Sequence, residues 1–166
     1  RRSAGRHTRH SQLNDIIWRS LCRAKIPASY EPLGLTKSDE KRPDGVTLIP
    51  WSHGKCLTWD VTVPDTMATS HVQLQATSTA AGAAVDRAAA NQKTKYAALQ
   101  STHIFVPVSV ETMGSWNCES LNFANNKLTA VTGDPLETSY LFQQLFVTIQ
   151  RGNAVSFIGT LSDIDC

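Results

Sequence analysis

The stretch that decides the fold begins Arg42-Pro43-Asp44-Gly45-Val46-Thr47-Leu48-Ile49, turns at Ser52-His53-Gly54-Lys55 and continues Cys56-Leu57-Thr58-Trp59-Asp60-Val61-Thr62-Val63. β-Branched and aromatic residues fill both arms, so we expect a β-hairpin with strands at about 44–51 and 56–63. A hairpin there brings Asp44 and Asp60 to one end of a sheet. Mg²⁺ prefers carboxylate and water ligands, and two acids leave coordination positions open for a phosphate.

A helix is predicted on each side of this hairpin. Between about 8 and 24, apolar residues recur at helical spacing, Thr8 or Ser11 can cap the helix, and Pro27 follows its end. This pattern leaves Arg9, Arg19 and Arg23 on the helix surface. The second helix is expected over Ala80–Leu99, because alanine is the best helix former.

The apolar run 103–110 predicts a buried strand that joins the same sheet through a right-handed crossover. The remaining expectations are a short strand at 30–35, loops at 64–78 and 112–120, a helix at about 121–131, a helix from Asp134-Pro135 onward, and an amphipathic piece at 154–161. The fold class is therefore α/β, with a small mixed central sheet flanked by helices. One domain, 1–166, is expected, with a core at about 8–112 and a C-terminal helical extension at about 113–166.

Composition narrows the class of protein. The 166 residues are 41% hydrophobic, which is enough for one packed domain, and no apolar run is long enough to cross a bilayer. The first residue is not Met, which is typical of a piece of a larger protein. Four scattered cysteines without a C-x-x-C pair argue against a zinc site and favour a reducing compartment, nuclear or cytoplasmic.

The net charge of +2 is unevenly placed along the chain. Residues 1–25 contain seven Lys or Arg and one acid, whereas the rest of the chain contains nine Lys or Arg and thirteen acids. A basic leading segment on an acidic body suits a polyanion partner, and it equally suits an ordinary solvated helix face. Charge alone does not choose between these two interpretations.

Three segments resemble the PD-(D/E)xK, or restriction-endonuclease-like, nuclease superfamily: Arg42-Pro43-Asp44, Trp59-Asp60-Val61-Thr62, and Lys93-Thr94-Lys95-Tyr96. More closely, they resemble the C-terminal endonuclease domain of site-specific non-LTR retrotransposon proteins. The resemblance covers about residues 8–112. Those domains carry a basic residue before Pro-Asp, a second Asp on a strand, and a helix lysine before a Tyr, so the resemblance implies a restriction-endonuclease-like core.

The resemblance implies a metal site and a set of phosphate contacts. Asp44, Asp60 and the backbone carbonyl of Val61 would bind one or two Mg²⁺ (or Mn²⁺), which polarise a phosphate and help to generate hydroxide. The implied nucleic-acid contacts are Arg42, which can hold a phosphate, and the basic first helix with Arg9, Arg19 and Arg23.

The catalytic lysine departs from the family pattern. The usual lysine two residues after the second acid is Thr62 here, so the lysine must come from the alanine-rich helix. Lys93 points about 160° away from Lys95 by helical geometry, and only one of them can face the sheet. Lys95 is the preferred catalytic residue because it precedes Tyr96, as in the family, and Lys93 is the alternative.

Two functions fit these residues. The first is a Mg²⁺-dependent DNA endonuclease domain that nicks DNA, derived from a retroelement, with the rest of a parent polyprotein and an RNA/DNA complex as further partners and no membrane. The second is a catalytically inactive nuclease-fold module that binds nucleic acid or a protein. A Pro-Asp-Gly triplet is most often just a turn. Asp60 carries more weight, because a carboxylate in an apolar strand is costly unless it is paired or metal-bound.

Overall fold

A computed structural model of the chain describes residues 2–36, 42–64, 82–128 and 135–161. In chain order its elements are α1 (Arg2–Arg23), β1 (Ala28–Tyr30), β2 (Gly45–Thr47), β3 (Cys56–Thr62), α2 (Ala83–Lys95), a 3-10 helix (Ala97–Ser101), β4 (His103–Ser109), α3 (Cys118–Asn122), a π-helix that continues it (Phe123–Leu128), and α4 (Pro135–Leu161). Most of the loop predicted at 64–78 lies outside the described residues.

The four strands form one mixed sheet in the order β1-β2-β3-β4. The pairs β1–β2 and β2–β3 are antiparallel, and β3–β4 is parallel. A parallel pair needs a long crossover, and α2 supplies it. The predicted α/β class, with a small mixed sheet flanked by helices, is confirmed.

Successive residues of β3 face opposite layers of the molecule. Leu57, Trp59 and Val61 belong to the apolar core, whereas Asp60 binds side chains of α2. The helices α1 and α4 supply much of that apolar core, through Leu13, Ile17, Leu21, Leu141, Leu145 and Ile149. The sheet therefore separates an apolar layer from a layer that contains a buried acid.

Gly45 begins a strand and does not form a turn. It pairs with Trp59, and a Cβ atom on Gly45 would lie 2.0 Å from Trp59 Cζ2. The indole lies directly over the glycine and donates its N–H to Asn14 Oδ1 at 2.8 Å. This close packing sets the register of β2 on β3 and places Asp44 near Val61.

Three predicted helical features differ from the structure. α1 begins at Arg2 and not near residue 8, and the piece predicted at 154–161 is the end of the continuous helix α4. Arg9 is not on the surface: it is 7% exposed, and a Cβ atom on Gly152 would lie 2.1 Å from its Cγ. Gly152 lies inside α4, and its missing side chain leaves the space that Arg9 of α1 occupies.

Two shorter elements also differ from expectation. The first strand covers Ala28–Tyr30 and not 30–35, because Glu31 has a positive φ of 38° that ends the extended backbone. The stretch expected to be a loop at 112–120 contains the first turn of α3, which Asn117 caps by accepting a hydrogen bond from the Glu119 N–H.

Candidate metal and phosphate site

Asp44 directly precedes β2, at the position where the next strand residue would pair with β3. β2 pairs with β3 only through Gly45 and Val46, so β3 extends beyond its neighbour. Asp44 Oδ2 accepts the Val61 N–H at 2.6 Å, which satisfies a backbone donor that β2 does not reach. The carboxylate is thereby held against the backbone of β3, and Asp44 is only 8% exposed.

Asp60 is fixed by two side chains of the α2 segment. Its Oδ2 accepts a hydrogen bond from Gln92 Nε2 at 2.7 Å, and its Oδ1 lies 2.9 Å from the Tyr96 hydroxyl. Gln92 is itself buried: its amide nitrogen also contacts Thr62 Oγ1, and its carbonyl oxygen accepts from Ser109 Oγ at 3.1 Å. Gln92 therefore links β3, β4 and α2 beneath the acid.

The two carboxylates lie within each other's electrostatic field. Burial raises the pKa of Asp60, and the negative charge of Asp44 raises it further. The charge of Lys95 and the hydrogen bonds from Tyr96 and Gln92 act in the opposite direction, but the net shift of the Asp60 pKa is upward. Like charges that repel in a buried site favour either a bound proton or a bound cation.

The Tyr96 hydroxyl lies between two oxygen acceptors of the site. It lies 2.6 Å from the Arg42 carbonyl and 2.9 Å from Asp60 Oδ1. A phenol has one proton and so can donate to only one of these two acceptors. A proton on Asp60 Oδ1, donated to the Tyr96 oxygen, would satisfy both contacts. The proximity of Asp60 raises the pKa of Tyr96, after burial as the largest cause.

His10 is the site residue that sequence reasoning missed. Its Nε2 lies 2.9 Å from Asp44 Oδ2. That hydrogen bond raises the pKa of His10, burial opposes it, and the charges of Asp44 and Asp60 and a backbone hydrogen bond with Val61 raise the pKa further. His10 is thus in direct contact with Asp44, and the charge of Asp60 also acts on its ring.

The two candidate lysines lie in different surroundings. Lys95 places its ammonium group 4.5 Å from the centroid of the Tyr96 ring, and its charge lowers the pKa of Asp60. Lys93 pairs with Glu119 at the start of α3. The structure therefore brings Lys95 towards Asp60 and turns Lys93 to a different neighbour.

The four arginines predicted to bind nucleic acid do not form one surface. Arg42 is exposed beside Asp44. Arg19 is exposed on α1 and pairs with Asp15 at 2.8 Å. Arg23 is turned towards α4, with its guanidinium 5.3 Å from the Tyr140 ring centroid. Arg9 is buried and donates to Asn153 Oδ1 at 2.7 Å. Arg42 is therefore the arginine that the structure places next to the paired acids.

The donor atoms of Asp44 and Asp60 are carboxylate oxygens, the type of donor that a hard divalent cation prefers. The residues that the structure describes contain no group of three or more His, Cys, Asp or Glu side chains suited to a metal. Asp44, Asp60 and the Val61 carbonyl instead supply a small set of oxygen donors. Mg²⁺ uses one or two carboxylates in such sites and takes its remaining ligands from water and phosphate. The mutual repulsion of the acids also favours a cation.

Similarity to other proteins does not assign a function. No protein-family model matches the sequence, and a comparison with curated proteins gives no significant match. Within the described ranges, none of the helices combines the length and the apolar character needed to cross a membrane. The function must therefore be inferred from the site itself.

Proposed function

We propose that this chain is a metal-dependent phosphodiesterase: a DNA-nicking endonuclease domain of a retroelement-derived protein that uses Mg²⁺ or Mn²⁺. One observation carries the proposal. Two buried acids on adjoining segments, Asp44 and Asp60, lie close enough for the charge of one to raise the pKa of the other. Keeping two carboxylates in such a place is costly for folding, which is typical of a functional site.

The described residues support a division of roles. Asp44, Asp60 and the Val61 carbonyl would hold the cation, which when bound supplies Lewis acidity to a phosphate and lowers the pKa of water. Gln92 and Tyr96 hold the Asp60 carboxylate in one orientation.

Lys95 and Arg42 would act on the substrate and not on the metal. Lys95 is exposed and its charge reaches Asp60, so its ammonium group can approach a phosphate and stabilise the negative charge that grows during cleavage. Arg42, which is exposed and lies two residues before Asp44, can hold a neighbouring phosphate through paired N–H donors. DNA is the expected partner, and an RNA/DNA duplex in a larger retroelement complex offers the same phosphates.

Nicking of supercoiled plasmid tests this proposal. The wild-type protein should convert the plasmid to the open circular form with Mg²⁺ or Mn²⁺ and not with EDTA. Asp60→Asn should lower the rate at least about 100-fold, since it removes a ligand charge from the reacting centre. Asp15→Asn, which removes a partly exposed acid on α1, is the matched control and should leave the rate unchanged. Equal rates for wild type and Asp60→Asn would exclude the site.

The same assay distinguishes the two lysines. Lys95→Ala should reduce nicking by about 100-fold, because its ammonium is the one whose charge reaches Asp60. Lys93→Ala removes a partner of Glu119 and should change the rate less than about threefold, as expected for an exposed ion pair. The opposite order would transfer the catalytic role to Lys93.

The alternative is an inactive nuclease-fold module that binds nucleic acid or a protein partner. It is favoured by Thr62, which stands where the family has a lysine and whose hydroxyl contacts Gln92 inside the site. Under this alternative, neither wild type nor Asp60→Asn nicks plasmid, and fluorescence anisotropy gives equal affinities of both for a labelled DNA duplex.

A further inference from the structure

We propose that the His10 side chain occupies the cation position of this site in the metal-free protein and has to leave Asp44 before a divalent ion binds. The inference rests on the metal-dependent function proposed above. It assigns to α1 a role in controlling metal affinity, in addition to its role in the apolar core.

The acceptor capacity of Asp44 Oδ2, the carboxylate oxygen in contact with both Val61 and His10, supports this assignment. A carboxylate oxygen has two lone-pair directions, and Asp44 Oδ2 already accepts the Val61 N–H at 2.6 Å. His10 Nε2, at 2.9 Å from the same oxygen, takes the second. The Val61 contact is part of the backbone of β3 and is fixed, so a metal that binds this oxygen must replace the imidazole.

The His10 ring lies where a cation bound to Asp44 would lie. Its Nε2 shares Asp44 Oδ2 with the N–H of Val61, the residue that follows Asp60 on β3. A metal held by Asp44 and Asp60 would lie at this same edge of β3. The ring and a metal ion cannot both be in contact with Asp44 Oδ2.

The His10 side chain can move away from Asp44 without unfolding of α1. His10 lies in the interior of α1, and its side chain is 37% exposed, so a change of rotamer carries the ring towards solvent. Asp60 has no such freedom, since Gln92 and Tyr96 hold its two oxygens. The site therefore has one fixed acid and one acid whose partner can be exchanged.

Isothermal titration calorimetry with Mn²⁺ alone, without DNA and at one pH, tests the proposal. His10→Ala should bind Mn²⁺ about tenfold more tightly than wild type, because no charge-assisted hydrogen bond has to be broken. His7→Ala is the matched control: His7 is exposed about one turn earlier on α1, and its replacement should leave the affinity unchanged. Asp44→Asn should weaken binding at least about tenfold.

The outcomes separate this inference from the proposed function. Equal or weaker binding by His10→Ala, with Mn²⁺ bound by wild type, overturns the inference and leaves the metal-dependent function standing; weaker binding would make His10 a ligand. No binding by wild type or by His10→Ala overturns both.

Nitrogen NMR of the wild-type histidines provides a readout that needs no variant: Mg²⁺ should shift the His10 ring signals and not those of His7. Unchanged His10 signals at saturating Mg²⁺ overturn the inference.

Discussion

Both faces of β3 contain buried residues, but the two faces differ in how these residues are held. Leu57, Trp59 and Val61 are 0–3% exposed and pack against α1 and α4 in the apolar core. Thr58 and Asp60, on the other face, are 0% and 8% exposed and are surrounded by hydrogen-bonding groups. The apolar face requires only complementary volumes. The polar face requires every donor and acceptor to be matched, which makes it the costlier face to fold and the one able to perform chemistry.

The largest expected loss of stability is that of Gly45→Ala, which disrupts the packing of the apolar face. The added Cβ would overlap Trp59, whose buried ring has no room to move. We expect the free energy of unfolding to fall by about 3 kcal/mol, the upper end for overpacking. Urea unfolding followed by tryptophan fluorescence measures it.

Gly54→Ala is the control for this change, because no atom lies within 4 Å of the added Cβ and the cost is limited to a left-handed φ of 71°. That conformation costs about 1–2 kcal/mol. A smaller loss for Gly45→Ala than for Gly54→Ala would show that the indole is not fixed on the glycine.

The second largest loss of stability is expected for Gln92→Leu, which removes hydrogen bonds from the polar face. Leucine has a similar volume but leaves Asp60, Thr62 and Ser109 without the amide that joins them. A buried group that loses its partner costs about 1–3 kcal/mol, so we expect a loss of about 2 kcal/mol. The thermal midpoint should fall by roughly 4–8 °C for a chain of this size. Gln100→Leu, at an exposed position on the 3-10 helix, should change the midpoint by less than about 2 °C. Equal shifts in the two variants would mean that the Gln92 contacts contribute little.

Much of the sheet and its crossover helix could be predicted from the sequence. The strand runs around Trp59 and Phe105 and the alanine-rich helix between them are local patterns, and the parallel pairing of β3 and β4 follows from their order. The juxtaposition of Asp44 and Asp60 was also within reach, because both acids lie at one end of a hairpin. Local periodicity and turn chemistry carry this information.

The rest of the site depends on packing between distant elements. His10 reaches Asp44 only because α1 packs beside the residue that precedes β2, and no periodicity within α1 predicts that packing. The sequence feature that comes nearest to predicting this contact is Asn14, a polar residue one turn later on the apolar side of the helix. Asn14 binds Trp59 and the Asp44 carbonyl. The burial of Arg9 has the same origin, since it depends on Gly152 in a helix more than a hundred residues away.

The pH dependence of stability in wild type and Asp60→Asn distinguishes the polar face from the apolar face. The pKa of Asp60 is raised in the folded state, so its proton stabilises the fold at pH values below the unfolded pKa, and this stability is lost as the pH rises through the folded pKa. Wild type should therefore lose stability over that interval while Asp60→Asn loses less. Thermal midpoints of both proteins from about pH 4 to pH 7 measure the difference. If the two curves stay parallel, the polar face does not penalise the ionised acid.

The smallest effect is expected for His10→Gln in the metal-free protein. The His10 pKa is raised by its bond to Asp44, so this stabilisation is complete below the unfolded pKa of about 6.5 and is lost as the pH rises through the folded pKa. Gln keeps a hydrogen-bond donor without the charge. Because the ring is 37% exposed and solvent screens the pair, the variant should be less stable than wild type by about 1 kcal/mol or less near pH 6, and equally stable well above the folded pKa. A difference that persists at high pH would mean that the ring acts by packing. A difference that vanishes would show that the imidazolium charge, and not the packing of the ring, is what His10 contributes to the stability of the acid pair beside the apolar face.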